Sequence, residues 1–231
     1  NKSIHEFIDS IPNILAGKEL KAIAGHILKA RKNNREVIWA MGSHVLKVGL
    51  SPIIIDLMKR KLITAIAFNG SSMVHDFEIA CIGATSEEVG VGLEDGSFGV
   101  TKETAVFLND AINHGYKKKM GLGQSVGVSI ALKNLDYKEL SVFYHAALLK
   151  IPVTVHVAIG TDIFHMHPEC DGEKLGALSM RDFHMIAEVI SRLSKGVHLN
   201  IGSSVILPEV FMKALNLARN VGASVKNFTT A

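Results

Sequence analysis

The chain has 231 residues, of which 48% are apolar and 20% charged, with a formal net charge of +3. That is ample apolar material for one large α/β domain or two small ones. Its basic residues are scattered apart from Arg31-Lys32 and Lys117-Lys118-Lys119, neither interleaved with aromatics, which argues against nucleic-acid binding.

A mean hydropathy of +0.25 is high, yet no run approaches the roughly 18 to 20 apolar residues of a membrane span. The excess is assigned to parallel strands covered on both faces, and no membrane partner is expected. Cys81 and Cys170 lie far apart and outside any CxxC spacing, which suits a reducing cytoplasm. Residues 1–6 show no basic-then-apolar leader pattern.

In chain order, residues 3–34 read as a helical extension interrupted at Pro12, with Asn33-Asn34 as the break. The spacing then predicts a strand over 36–41, a helix over 45–61 that Pro52 kinks or restarts, a strand over 63–68 and a helix over 73–82. Residues 83–100, with five glycines and Glu87, Glu88, Glu94 and Asp95, form the longest irregular stretch, a composition shared by functional lids and plain solvated excursions.

A helix over 102–114 follows Thr101. The Gly-Leu-Gly-Gln-Ser-Val-Gly segment that begins at Gly121 has no strand before it, so it reads as a tight helix-packing face rather than a dinucleotide fingerprint. Further on come a helix over 140–150, a strand over 153–159, a loop over 160–178, a helix over 181–193, a strand over 197–201, a helix from Pro208 to about residue 220 and a closing strand over 224–228. This alternation predicts one α/β domain over 1–231, with a helical extension over about 1–34. Its core is a doubly wound, mainly parallel, Rossmann-like sheet.

Four apolar runs end in a small-residue, hydroxyl-rich elbow: Gly42-Ser43-His44, Asn69-Gly70-Ser71-Ser72, Gly160-Thr161-Asp162 and Gly202-Ser203-Ser204. A strand that enters a helix through Gly brings backbone N–H groups and the positive end of the helix dipole to a ligand. A single elbow of this kind is usually a helix cap. Several at one sheet edge predict a polar crevice at the carboxyl ends of the strands. Lys47, His75 and Asp76 follow the first two elbows, and Thr229 and Thr230 close the last strand. The set suits a phosphate-bearing ligand such as a dinucleotide.

A second constellation spans Asp162, His165, His167, Glu169, Cys170 and Asp171. On extended backbone His165 and His167 point to one side, and Asp162, Glu169 or Cys170 could complete a divalent-metal site. Asp162, His165, His167 and Asp171 are therefore candidates to face a small-molecule substrate, with His44 and His75-Asp76 as alternative general bases.

Taken in order, these segments resemble the deoxyhypusine synthase family and its bacterial relatives. The resemblance is carried by Gly42-Ser43-His44-Val45-Leu46-Lys47, Phe68-Asn69-Gly70-Ser71-Ser72, Asp171-Gly172-Glu173-Lys174-Leu175-Gly176, Ile201-Gly202-Ser203-Ser204 and Asn227-Phe228-Thr229-Thr230-Ala231. It implies a Rossmann-like NAD-binding fold and a homo-oligomer, a dimer or tetramer with active sites at subunit contacts. The implied chemistry begins with oxidation of a polyamine by NAD, after which an enzyme lysine takes up the aminobutyl group.

The chain departs from the family pattern at Pro208-Glu209, where the family has paired histidines, and at Ala177, where it has an acidic residue. The expectation is a diverged relative that binds NAD through the elbows and acts on a small amine or other polar metabolite, rather than deoxyhypusine formation itself. The alternatives are a metal-dependent hydrolase or lyase built on His165 and His167, and a nucleotide-binding protein without catalysis.

Overall fold

A computed structural model describes residues 3–85 and 89–231; Glu87 and Glu88 of the Gly-rich stretch lie outside the described residues. Five strands, β1 (Val37–Met41), β2 (Ala65–Asn69), β3 (Val153–His156), β4 (Val197–Ile201) and β5 (Thr229–Thr230), form one sheet in the order β3-β2-β1-β4-β5. Every pairing is parallel. The fold is thus a Rossmann-like α/β fold, and its strand order reverses between β1 and β4.

Side-chain alternation along β1 and β2 explains why helices cover both faces. Ile38, Ala40, Ala65 and Ala67 point to one side, where they pack with Ile186, Ile190, Leu207 and Leu215. These come from α10 (Gly172–Ser191) and α11 (Ile206–Asn220). Met41, Ile66 and Phe68 point to the other side. There they meet α4 (Ser51–Lys59), α5 (Ser71–Ile82), α7 (Lys102–Lys118), α8 (Leu122–Leu132) and α9 (Val142–Leu149). Strands buried on both faces read as unbroken apolar runs, and the buried β2 sequence Ala-Ile-Ala-Phe does so.

Several predicted boundaries move for local reasons. The helix expected over 45–61 is two: α3 (His44–Lys47) ends at Gly49, which has φ +84°, and α4 restarts with Pro52 in its first turn. The last part of the supposed loop over 160–178 is helix, because Asp171 caps α10, which begins nine residues earlier than its apolar spacing suggested, by accepting from the N–H groups of Glu173 and Lys174. The Gly-rich stretch contains a short helix, α6 (Val89–Asp95).

The Gly121 segment is indeed the opening of a packed helix. A Cβ on Gly123 would overlap the Val153 carbonyl, and one on Gly127 would overlap that of Phe143. At the amino end, α1 (Ile4–Ser10) begins with a Ser3–Glu6 capping box and buries no residue. The following α2 (Leu15–Lys32) lays Ile23, Ile27 and Ala30 against Val37 and Val197. Among the described residues, no helix is long and apolar enough to cross a membrane.

Candidate functional site

The elbows after β1 and β4 meet at the point where the strand order reverses. Gly42 donates its N–H to the Ile201 carbonyl at 2.9 Å, and a Cβ on Gly42 would overlap the backbone of Gly202. Gly202 itself has φ +73°, a conformation that glycine adopts without strain. The two strands can therefore approach to main-chain contact at their ends, with open space beside the Gly202 α-carbon and Ser43, His44, Ser203 and Ser204 in the flanking elbows.

Ser203 also caps α11, its Oγ accepting from the Leu207 N–H at 3.2 Å. Asn200, at the end of β4, donates through Nδ2 to the Ser203 carbonyl, while its buried Oδ1 has no partner within the protein. That oxygen is a buried acceptor near the carboxyl end of β4. In an open parallel sheet, a crevice at the strand-order switch is the ordinary position of a ligand.

Next to it, a cavity of about 170 Å³ is walled by α3, α5 and the loop after β3. Its chemistry comes from Lys47, Ser71, His75, Glu78, Thr161 and Asp162, and its apolar lining from Val74, Val89, Phe98 and Ile163. Ser71, Val74, His75 and Glu78 stand at i, i+3, i+4 and i+7, one face of α5. Four residues of α3 connect crevice to cavity, His44 at its start and Lys47 at its end.

His75 Nδ1 lies 3.0 Å from Glu78 Oε2. Glu78 is buried and His75 is partly open to the cavity.

Asp162 is the unusual member. It is 7% exposed, its Oδ2 has no hydrogen-bond partner, and its carboxylate occupies the space that a Cβ would need on Gly70. Glycine at position 70 thus admits the acid to the start of α5. Burial pushes its carboxyl up to about 6, with the Thr161 side chain and then the neighbouring His75 pulling the other way. A buried carboxylate oxygen without a donor beside a cavity is matched to a cation or a transferable proton.

The other candidates have local partners. His165 belongs to a short 3-10 turn, Ile163–Met166, and its Nδ1 accepts from the N–H groups of both Gly160 and Asp162 at 3.2 Å. The ring braces its own loop, and Asp162 in turn accepts from the His165 N–H. His167 Nδ1 accepts from the Glu169 N–H, and Asp171 is the cap of α10 paired with Lys174. None of the three lines the cavity that holds Asp162.

The 3-10 turn also corrects the geometry on which a metal site depended, since it removes the same-side alternation of His165 and His167. Among the described residues, no group of three or more His, Cys, Asp or Glu side chains could hold a metal ion. Asn69 Oδ1 accepts from the Ser72 hydroxyl, which leaves Ser71 and Gly70 as the second elbow's contributions to the cavity.

Thr229 and Thr230 lie elsewhere. They pair with Val197 and His198, the first residues of β4, so β5 sits toward the amino edge of the sheet, and Thr229 Oγ1 lies 3.1 Å from His26 Nδ1. Glu78, buried beside the sequence candidate His75, is the part of the site that motif reading passed over. Its signal was present in the helical spacing from Ser71.

No protein-family model matches the sequence, and no curated protein matches it. Solved structures with the same fold do. A conserved protein of Methanococcus maripaludis S2, provisionally assigned to the LOR/SDH type, superposes with a TM-score of 0.52 at 16% identity, covering 100% of this chain and 57% of that one. AgrE, solved as a ternary complex with ornithine and NAD+, gives a TM-score of 0.52 at 16% identity over 88% of this chain and 26% of its own.

A protein of Entamoeba histolytica, provisionally described as a deoxyhypusine synthase, gives a TM-score of 0.45 at 14% identity, covering 84% of this chain and 77% of that one, a likeness too loose to argue from. This chain therefore spans about half of the archaeal protein and a quarter of AgrE. What the first two likenesses establish is the fold.

Proposed function

We propose that the chain binds NAD in the crevice between β1 and β4 and contributes to an NAD-dependent enzyme of the deoxyhypusine synthase-like group that acts on a small amine. The observation that carries the reading is the contact of the Gly42 and Gly202 elbows at the switch point of a parallel sheet. The open space beside Gly202, the hydroxyls of Ser43, Ser203 and Ser204 and the unpartnered Asn200 oxygen fit a nucleotide. Serine hydroxyls and main-chain N–H groups donate to phosphate oxygens, and the Asn200 oxygen accepts from a ribose hydroxyl. The complex of AgrE with ornithine and NAD+, on the same fold, supports the same pairing of ligands.

When bound, NAD supplies an acceptor for hydride. The chain's own residues do the rest. An aliphatic amine is protonated near neutral pH and has no lone pair to release until it loses a proton. Asp162, held at about 6 by burial, is matched to hold the ammonium group and remove that proton. Glu78 adds a second negative group, oriented by His75, and the apolar walls formed by Val74, Phe98 and Ile163 exclude water from the carbon beside the amine. The expected homo-oligomer belongs to the same proposal, and light scattering on the purified protein reads its size.

Calorimetric titration tests the cofactor claim. NAD is expected to bind saturably and to raise the thermal midpoint by mass action. Gly202→Val, which inserts a side chain into the crevice at a position of positive φ, should abolish binding. Failure of millimolar NAD to bind the parent protein would overturn the proposal. Glu78→Gln separates the two ligands, since it should weaken an amine and leave NAD binding intact.

A further inference from the structure

The amino edge of the sheet carries a second cleft, remote from the elbows and unused by the proposed chemistry. It has a volume of about 520 Å³ and is lined by His26, Lys29, Arg35, Lys195, Asn227 and Thr229, along with Ala30 and Asn33. No carboxylate is among these lining residues. Lys29, Arg35 and Lys195 carry as much formal charge as the entire chain has in excess, +3.

The cations come from separate segments, each fixed by its own hydrogen bonds. Lys29 stands in the last turn of α2, where a base offsets the helix dipole. That explanation does not extend to the other two. Arg35 lies in the turn into β1, which is closed by its own N–H to the Ala30 carbonyl and by Arg31 donating to the carbonyls of Arg35 and Lys61. Lys195 precedes β4 at φ +61°, and Asn227 precedes β5 at φ +55°.

These two loops are stapled together. Ser194 Oγ donates to the Ser224 carbonyl and accepts from the Lys226 N–H, while the Lys195 N–H donates to the Lys226 carbonyl. His26 is oriented by its contact with Thr229 Oγ1.

Like charges gathered on a buttressed frame repel one another and focus a positive potential into the cleft. An anion of matching size relieves that repulsion without having to order the loops first. The volume exceeds what a single phosphate occupies and falls within the ordinary range of small-molecule sites. From the convergence of Lys29, Arg35, Lys195 and His26 on this preorganised cleft, we infer a second binding site, for an organic polyphosphate such as a nucleoside di- or triphosphate. Its several charges, rather than its base, would supply the recognition. The cleft adjoins the beginnings of β1 and β4, the two strands whose far ends form the elbow crevice.

Calorimetric titration of the full chain at low ionic strength, with inorganic tripolyphosphate and ATP as probes and AMP and sulfate as controls, tests the site. One saturable equivalent of tripolyphosphate is expected, with ATP comparable and AMP and sulfate weaker. Losing one charged contact should weaken binding by about tenfold, so Lys29→Gln and Arg35→Gln, both at exposed positions, should each do so, whereas Lys29→Arg should restore it. Affinity should fall steeply with added salt.

Absence of saturable tripolyphosphate binding would overturn the inference. So would binding indifferent to Lys29→Gln and Arg35→Gln, or binding lost in Gly202→Val, because either would place the anion outside this cleft. NAD binding should be unchanged in the Lys29 and Arg35 variants, so this inference and the proposed cofactor site fail separately.

Discussion

Asp76 and Asp162 are both buried and both pushed up to about 6 by burial, Asp76 as a residue of α5 and Asp162 packed against Gly70 at the start of that helix. Their surroundings differ in kind. Asp76 accepts from the Ser141 hydroxyl at 2.5 Å and from the N–H groups of Val142 at 2.8 Å and Phe143 at 3.4 Å, so it serves as a cap for α9 supplied by a neighbouring helix. Asp162 faces a cavity, with one oxygen bonded to nothing in the protein. Burial and a raised pKa therefore do not by themselves mark a functional acid; unmet hydrogen-bonding capacity beside open space does.

The largest test of this contrast is Asp76→Ala. It strands the Ser141 hydroxyl and two helix-start N–H groups in the core, and the expected loss is about 3–5 kcal/mol in urea unfolding. A loss below about 1 kcal/mol would show that α9 does not depend on this cap.

Asp162→Asn should act in the opposite direction. The folded-state pKa lies above the ordinary 3.8, so the native protein keeps a proton that the unfolded chain releases. This group accordingly takes stability away as pH rises from about 4 to about 6, and the deficit persists at pH 7. Asparagine keeps an oxygen for the His165 N–H and cannot ionise. The variant should gain on the order of 1–3 kcal/mol over the parent at pH 7, and the gain should vanish near pH 4. Amine binding should be lost at the same time. Equal destabilisation at both pH values would assign Asp162 a purely structural role.

The smallest effect belongs to Asp171. As a partly exposed cap of α10 paired with Lys174, its replacement by Ala should cost about 1 kcal/mol of stability and leave ligand binding unchanged. A drop in amine affinity with unaltered stability would return Asp171 to the substrate-facing set. Together the three variants separate capping acids from the acid that has a cavity to serve.

Periodicity and punctuation accounted for much of the architecture. β4 occupies residues 197–201 as the apolar run required, Pro52 restarts a helix, and the Gly121 segment packs a helix against its neighbours because no strand precedes it. Errors arose where capping outweighed periodicity. Asp171 starts α10 early, and Gly49 divides α3 from α4. β5 was placed too early in the chain, for its position depends on pairing with β4 rather than on any property of a two-residue strand.

By itself, the order of strand, elbow and helix determined a doubly wound parallel sheet with small residues at its carboxyl edge, since those features follow from local preference and apolar spacing. Tertiary structure alone decided which acid sits at a cavity. Asp162, His165, His167 and Asp171 are chemically alike as a string of candidates. Only folding brings Asp162 against Gly70, far away in sequence, while it turns His165 back onto its own loop and spends Asp171 on a helix cap. Likewise the basic cleft joins residues from α2, the turn into β1 and the two loops stapled by Ser194, and no local pattern in the chain could announce that convergence.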